Sequence, residues 1–177
     1  AGALLNDVDA VACVGMHALG ASPGFGAHTV SVNTEWTLGD ELLTESRVVQ
    51  LLAAERGVPF WFTAGDDVLR RQLPADVPFV ETKLAVSRGK AVSRPLAQVE
   101  AEFRAVLRRA PVTMRPLPPQ TLRVRFQTRA EAAAANAGTL IAPTVRELPP
   151  MADFHAQFLA ACRMIESASD AMVARVA

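Results

Sequence analysis

The chain has 177 residues, half of them hydrophobic, and its 18 Lys and Arg balance 18 Asp and Glu. This length and apolar content suit one packed domain and exclude a disordered chain, while the even scatter of basic side chains excludes an electrostatic footprint for nucleic acid or anionic lipid. No apolar stretch reaches the length of a membrane span, nothing resembles a secretory leader, and the two cysteines, Cys13 and Cys162, lack framework or CxxC spacing; a soluble protein of a reducing, cytoplasmic compartment is expected.

Residues 8–14 form an apolar run that reads as a buried strand, ending in a Gly/Pro-rich connection that holds two of the three histidines, His17 and His28. Residues 29–33 alternate as a second strand. Asp40 is a fair N-cap for a helix running to Arg56 and closed by Gly57. Residues 58–64 then read as a buried strand that delivers Gly65, Asp66 and Asp67 at its C-terminal end, followed by a short helix. Another strand spans 77–83, and Pro95 opens a helix through Arg109 with Leu96, Val99, Phe103 and Leu107 at helical spacing. After a proline-dense stretch at 111–119, Leu122, Val124 and Phe126 alternate with Arg123 and Arg125, the pattern of a strand with one packed face. Residues 130–137 are expected to be helical, 139–145 extended and 151–176 a closing helix. Apolar runs alternating with helical patterns predict an α/β fold: three layers, helices on both faces of a mostly parallel, mixed sheet, in a single domain over residues 1–177.

Open α/β sheets place ligands at the C-terminal edge of their strands, where His17 falls. On a helix begun at Asp40, Glu45 shares a face with Leu42, Val49 and Leu52 and points at the core, a costly place for a carboxylate without a cation, a hydrogen-bond network or a metal. Glu41, one turn earlier, is a weaker alternative explained by the helix dipole. Imidazole nitrogen and carboxylate oxygen together suit zinc, and only one of the two histidines need be a ligand; the other is free for acid–base work or for stabilising developing charge. Asp66 and Asp67 read equally as site acids or as helix caps, and Lys83 as a holder of a substrate carboxylate or a solvated strand end. His155, beside Phe154 and Phe158, reads as structural. No dinucleotide fingerprint, P-loop or G-x-S-x-G occurs.

Gly15-Met16-His17-Ala18, His28-Thr29, Thr44-Glu45, Gly57-Val58-Pro59, Ala64-Gly65-Asp66-Asp67 and Lys83 with Ser87-Arg88 occur in an order that resembles the M55 peptidases, zinc-dependent D-aminopeptidases. The resemblance implies that His17 and Glu45 are zinc ligands and that His28 is the catalytic histidine. It also implies a dinuclear zinc site, a short peptide substrate such as D-Ala-D-Ala losing its N-terminal D-amino acid, and a ring-shaped homo-oligomer. The family's Asp-x-Glu on a leading strand and a further metal-binding His have no counterpart here. The chain begins at Ala1 and goes almost directly into its first strand, so an upstream fragment, cleaved but bound as a second chain, is expected to complete the site. Met16, Thr44 and Val49 replace an aromatic residue, a glycine and an asparagine of the family, departures that bear on the substrate. Alternatives are a non-catalytic subunit that keeps the fold for assembly, and a related amidohydrolase or acyl-transfer enzyme of specialised metabolism.

Overall fold

In the computed structural model, which describes residues 7–174, strand β1 (Val11–Met16) leads through a long connection into the hairpin of β2 (Thr34–Leu38) and β3 (Glu41–Leu42). Helix α1 (Glu45–Glu55), β4 (Phe60–Asp66), α2 (Asp67–Gln72), β5 (Phe79–Ser87), β6 (Lys90–Ser93) and α3 (Leu96–Val106) follow. The remainder holds β7 (Leu122–Phe126), α4 (Arg129–Ala134), β8 (Thr139–Ala142), β9 (Val145–Leu148) and the closing helix α5 (Phe154–Val173). The expected end of that helix at Val176, and the chain's start at Ala1, lie outside the described residues. No helix among the described residues is long and apolar enough to cross a membrane.

The α/β class holds, but the strands divide between two sheets. In the first, β1, β4 and β5 run parallel and β6 adds antiparallel, in the order β1-β4-β5-β6. The second, ordered β3-β2-β7-β9-β8, is antiparallel throughout. Local turns explain much of the antiparallel pairing. Gly39–Asp40, Arg88–Gly89 and Pro143–Thr144 each separate paired strand ends, Leu38 from Glu41, Ser87 from Lys90 and Ala142 from Val145, and a connection of two residues can join only antiparallel strands. Gly39 takes the left-handed conformation, φ +58°, that the first of these turns requires.

Helix α1 packs between the two sheets. Val48, Leu51 and Leu52 enter one core with Trp36, Leu122, Val124 and Met164, while Val49 packs with Cys13, Phe60 and Leu69 in the core of the parallel sheet. Each large apolar side chain buried this way contributes about 1.5–3 kcal/mol. Val49 therefore serves packing. Trp36 is fully buried and donates its indole N–H to Thr34 Oγ1 at 3.0 Å.

Three expectations need correction. Residues 29–33 form a tight turn, not a strand: Val30 has φ +62°, and Val30 and Val32 are 43% and 53% exposed, so the alternation buries no apolar face. The strand begins at Thr34, where Trp36 and Leu38 supply that face. Asp40 sits in the hairpin turn, and α1 is capped instead by Thr44, whose side chain accepts from the Arg47 amide. Helix α3 packs through Val99, Phe103 and Val106 against Phe62 and Val80, and its Leu96 and Leu107 are exposed.

The parallel strands end together. Met16 lies beside Gly65 and Asp66 beside Lys83, which brings His17, the two aspartates and Lys83 to one edge of the sheet. Gly65 permits this approach, since a Cβ there would stand 2.5 Å from the Met16 carbonyl oxygen.

Candidate active site and metal centre

His17 is the first residue beyond β1. Its Nδ1–H donates to the Ala18 carbonyl at 3.2 Å, and the Nδ1–H of His28 donates to the Gly26 carbonyl at 2.7 Å. A carbonyl can only accept, so each neutral imidazole carries its proton on Nδ1 and leaves an Nε2 lone pair free. The rings stack with centroids 4.0 Å apart. Both Nε2 atoms approach one carboxylate: His17 Nε2 lies 3.8 Å from Glu45 Oε2 and His28 Nε2 lies 3.5 Å from Glu45 Oε1.

Glu45 reaches this place for a reason different from the expected one. Because α1 starts after Thr44, Glu45 is its first residue and not part of an apolar stripe; Leu42 lies in β3 and is 39% exposed. The positive end of the helix dipole favours a negative charge there. The Val30 amide donates to Glu45 Oε1 at 3.0 Å, so the left-handed Val30 is part of the device that fixes the carboxylate. Thr44 caps the same helix. Glu41, the weaker alternative, is taken by Arg47, whose Nε lies 2.6 Å from its carboxylate.

The donor set fits a divalent ion. The ligand atoms of His17, His28 and Glu45 all lie within 4.8 Å of one another. Separations of 3.5 and 3.8 Å are long for hydrogen bonds. They are close to the roughly 3.3–3.5 Å between two ligands of a tetrahedral ion bound at about 2.0–2.2 Å. Two stacked imidazolium rings would repel, whereas two neutral rings presenting lone pairs beside a carboxylate attract a cation. Nitrogen and oxygen donors of this kind suit zinc.

The remaining expected residues lie around this cluster and not within it. Asp66 is fully buried; its Oδ1 accepts from the Val68 and Leu69 amides and caps α2, while Oδ2 is enclosed and has no partner among the described residues. Asp67 accepts from the Ala85 amide at 2.7 Å and from Arg71 at 2.9 Å. Burial pushes the Asp67 carboxyl up, but these hydrogen bonds and the Arg71 charge outweigh it and hold the group below its ordinary value. Both aspartates thus have structural partners, Asp66 capping α2 and Asp67 tying the start of α2 to β5. Lys83 remains available: its Nζ stands 5.1 Å from the centroid of Phe25, within the loop that carries His28, and among the described residues no carboxylate pairs with it.

Some neighbours gave no usable sequence signal. Ser46 shares a short buried hydrogen bond with Thr63, 2.5 Å, tying the start of α1 to β4. Burial pushes the adjacent Cys13 thiol up to about 11, opposed by its hydrogen bond with Ser46 and reinforced by the Glu45 charge, so Cys13 is a buried thiol as expected. Arg88, at the tip of the β5–β6 hairpin, donates to the carbonyls of Ala27 and Val32 on either side of His28.

The family profile of the M55 peptidases, described as D-aminopeptidase, matches residues 2–157. The chain belongs to this family. Among solved structures this M55 chain is similar to the Zn-dependent D-aminopeptidase DppA from Bacillus subtilis, a self-compartmentalizing protease, with a TM-score of 0.75 and 19% identity over 91% of this chain and 64% of that one. It therefore spans less than two thirds of that relative's length, and at this identity the likeness establishes the shared fold. No curated protein matches the sequence.

Proposed function

We propose that this M55 chain carries the His17–His28–Glu45 portion of a zinc-dependent aminopeptidase that releases N-terminal D-amino acids from short peptides. The observation that supports this reading is the convergence of two Nε2 lone pairs on one carboxylate. His17, with its side chain 16% exposed, and Glu45 hold the zinc; His28, 36% exposed, stands on the accessible side and acts on substrate. Zinc bound there supplies Lewis-acid polarisation of a scissile carbonyl and lowers the pKa of water.

The protein's own part is proton handling. Gly26 holds the His28 ring by Nδ1, leaving Nε2 free to accept a proton from the attacking water and to return it to the departing amine nitrogen. Glu45, 3.5 Å away, stabilises the imidazolium formed between those two transfers. Lys83, steered by Phe25, holds the substrate's carboxylate. As one α/β domain, the chain corresponds to the later part of an M55 enzyme. A second metal and its further ligands come from an upstream segment, joined or as a separate chain, packed along β1. Among the described residues β1 pairs only with β4, and Val14 on it is 64% exposed, an edge and face that favour a cover. A self-compartmentalizing homo-oligomer follows by analogy with the structural relative.

The test is hydrolysis of D- and L-aminoacyl dipeptides by the native protein and by His28→Ala. Zinc retained with turnover of the D-series abolished supports the assignment. Loss of zinc in this variant would make His28 a third ligand instead, and absence of zinc from the native protein would leave only a subunit kept for assembly.

A further inference from the structure

The loop that carries His28 holds an unfavourable shape. Val30, a β-branched residue, has φ +62°, a left-handed conformation that such a residue rarely adopts and that persists only where the surroundings over-determine it. Its amide must face Glu45 Oε1, so the strain is tied to the cluster itself. The buried Thr29 is held by Leu43 and Thr34, and the His28 amide by the Ala18 carbonyl; the clamp across the two ends of the turn is supplied by Arg88. Arg88 Nη2 donates to the Ala27 carbonyl at 3.2 Å and to the Val32 carbonyl at 3.3 Å, while the Arg88 carbonyl accepts from the Gly26 amide at 2.9 Å. A single nitrogen with two hydrogens thus bridges the two ends of the turn that contains His28 and Val30; the Gly26 contact is made by the Arg88 backbone and survives any substitution there, so the side chain acts on the His28 ring and on the Gly26 carbonyl that meets it through Ala27, the residue between them.

We propose that Arg88 is a positioning residue that locks the His28 loop, setting the Nδ1–H tautomer of His28 and the Val30 amide that orients Glu45. The inference rests on the proposed role of His28 but concerns geometry that exists without metal or substrate. Methionine keeps the bulk of the stem and removes both donors; lysine keeps a charge and three donors without the planar fork. Arg88 is solvent-exposed, so its replacement leaves the fold intact, which circular dichroism and thermal melting verify.

Two readouts decide the proposal. In the metal-free protein above neutral pH, long-range ¹H–¹⁵N spectra of the imidazoles are expected to place the His28 proton on Nδ1; Arg88→Met is expected to convert this to a mixture of tautomers and Arg88→Lys to restore part of it. In the zinc-loaded full-length protein, Arg88→Met is expected to lower kcat by about tenfold to a hundredfold, the scale of a small misplacement of a reacting group, with little change in KM, and added guanidinium to recover part of the loss. An unchanged tautomer in Arg88→Met overturns the proposal whether or not the native protein hydrolyses peptides. A defect confined to KM, present for peptides with a free carboxylate and absent for their C-terminal amides, also overturns it, since Arg88 lines a cleft with Asn33, Glu35 and Arg125 and would then be a substrate-binding group.

Discussion

Replacing Glu41 by alanine removes one partner of an ion pair whose other member is buried. Arg47 is 7% exposed and meets the Glu41 carboxylate with two nitrogens, Nε at 2.6 Å and Nη2 at 3.1 Å, while its Nη1 donates to Gln50 at 3.2 Å. Breaking a fully buried pair costs about 3–5 kcal/mol because a charge is left without compensation, and breaking an exposed pair costs about 0–1 kcal/mol. The Glu41 side chain is 34% exposed, so water can enter where its carboxylate was and partly resolvate the guanidinium. The expected loss lies between the limits, about 2–3 kcal/mol. Urea unfolding followed by fluorescence of Trp36 and Trp61 measures it as a fall in midpoint at constant m. The double variant Glu41→Met with Arg47→Met is expected to recover most of the stability, because it removes the stranded charge along with its partner. Zinc content of folded Glu41→Ala should match the native protein, since this carboxylate pairs with Arg47 and not with the metal. A loss below about 0.5 kcal/mol, the scale of an ordinary surface substitution, would refute the burial argument, and a loss of zinc with the fold intact would refute the choice of Glu45 over Glu41.

Further predictions follow the same geometry. The folded-state pKa of Asp67 is lowered from 3.8, so its contribution to stability is present above that value and disappears as pH falls through the lower folded pKa; Asp67→Asn should flatten the acid limb of a stability–pH curve, and an unchanged limb contradicts the assignment. Burial, the first cause in each case, pushes both Cys13 and Cys162 up to about 11, so both thiols should react slowly with a disulfide reagent at neutral pH and quickly after denaturation; fast modification of the native protein would show accessible thiolate. Gly65→Ala sets a methyl group against the Met16 carbonyl and against Leu69; a lower melting temperature and weaker zinc binding are expected, because the end of β1 that presents His17 must shift, and an unaltered melt would show that the strands tolerate the separation.

The site was more legible in the sequence than the sheet arrangement around it. Two histidines in a glycine-rich connection after an apolar strand are a local signal, and the strand did end at Met16 beside them. Glu45 was legible as a residue but not in its setting. Asp40 satisfies the requirements of a helix cap and of a hairpin turn alike, and only the pairing of Leu38 with Glu41 across Gly39 and Asp40 decides for the turn. Once the helix start moves to Thr44, Glu45 passes from an apolar stripe to the first turn. The alternation at Leu122, Val124 and Phe126 revealed a strand with one buried face, as found, yet nothing local says that β2 and β9 are its partners. In the sequence Arg88 stands out only as part of the short Ser87-Arg88 pair that follows Lys83. Its bonds reach residues 56 and 61 positions away, a distance at which a single arginine carries no pattern to read.

Zinc-edge X-ray absorption of the metal-loaded protein, native and with His17→Ala or Glu45→Gln, bears most directly on the claim that these side chains surround one divalent ion. The expected spectrum has nitrogen and oxygen neighbours at about 2.0–2.2 Å and imidazole scattering, the imidazole contribution reduced by the histidine substitution and occupancy reduced by both. A spectrum unchanged in both variants, with zinc still bound in full, would place the metal elsewhere and contradict the account.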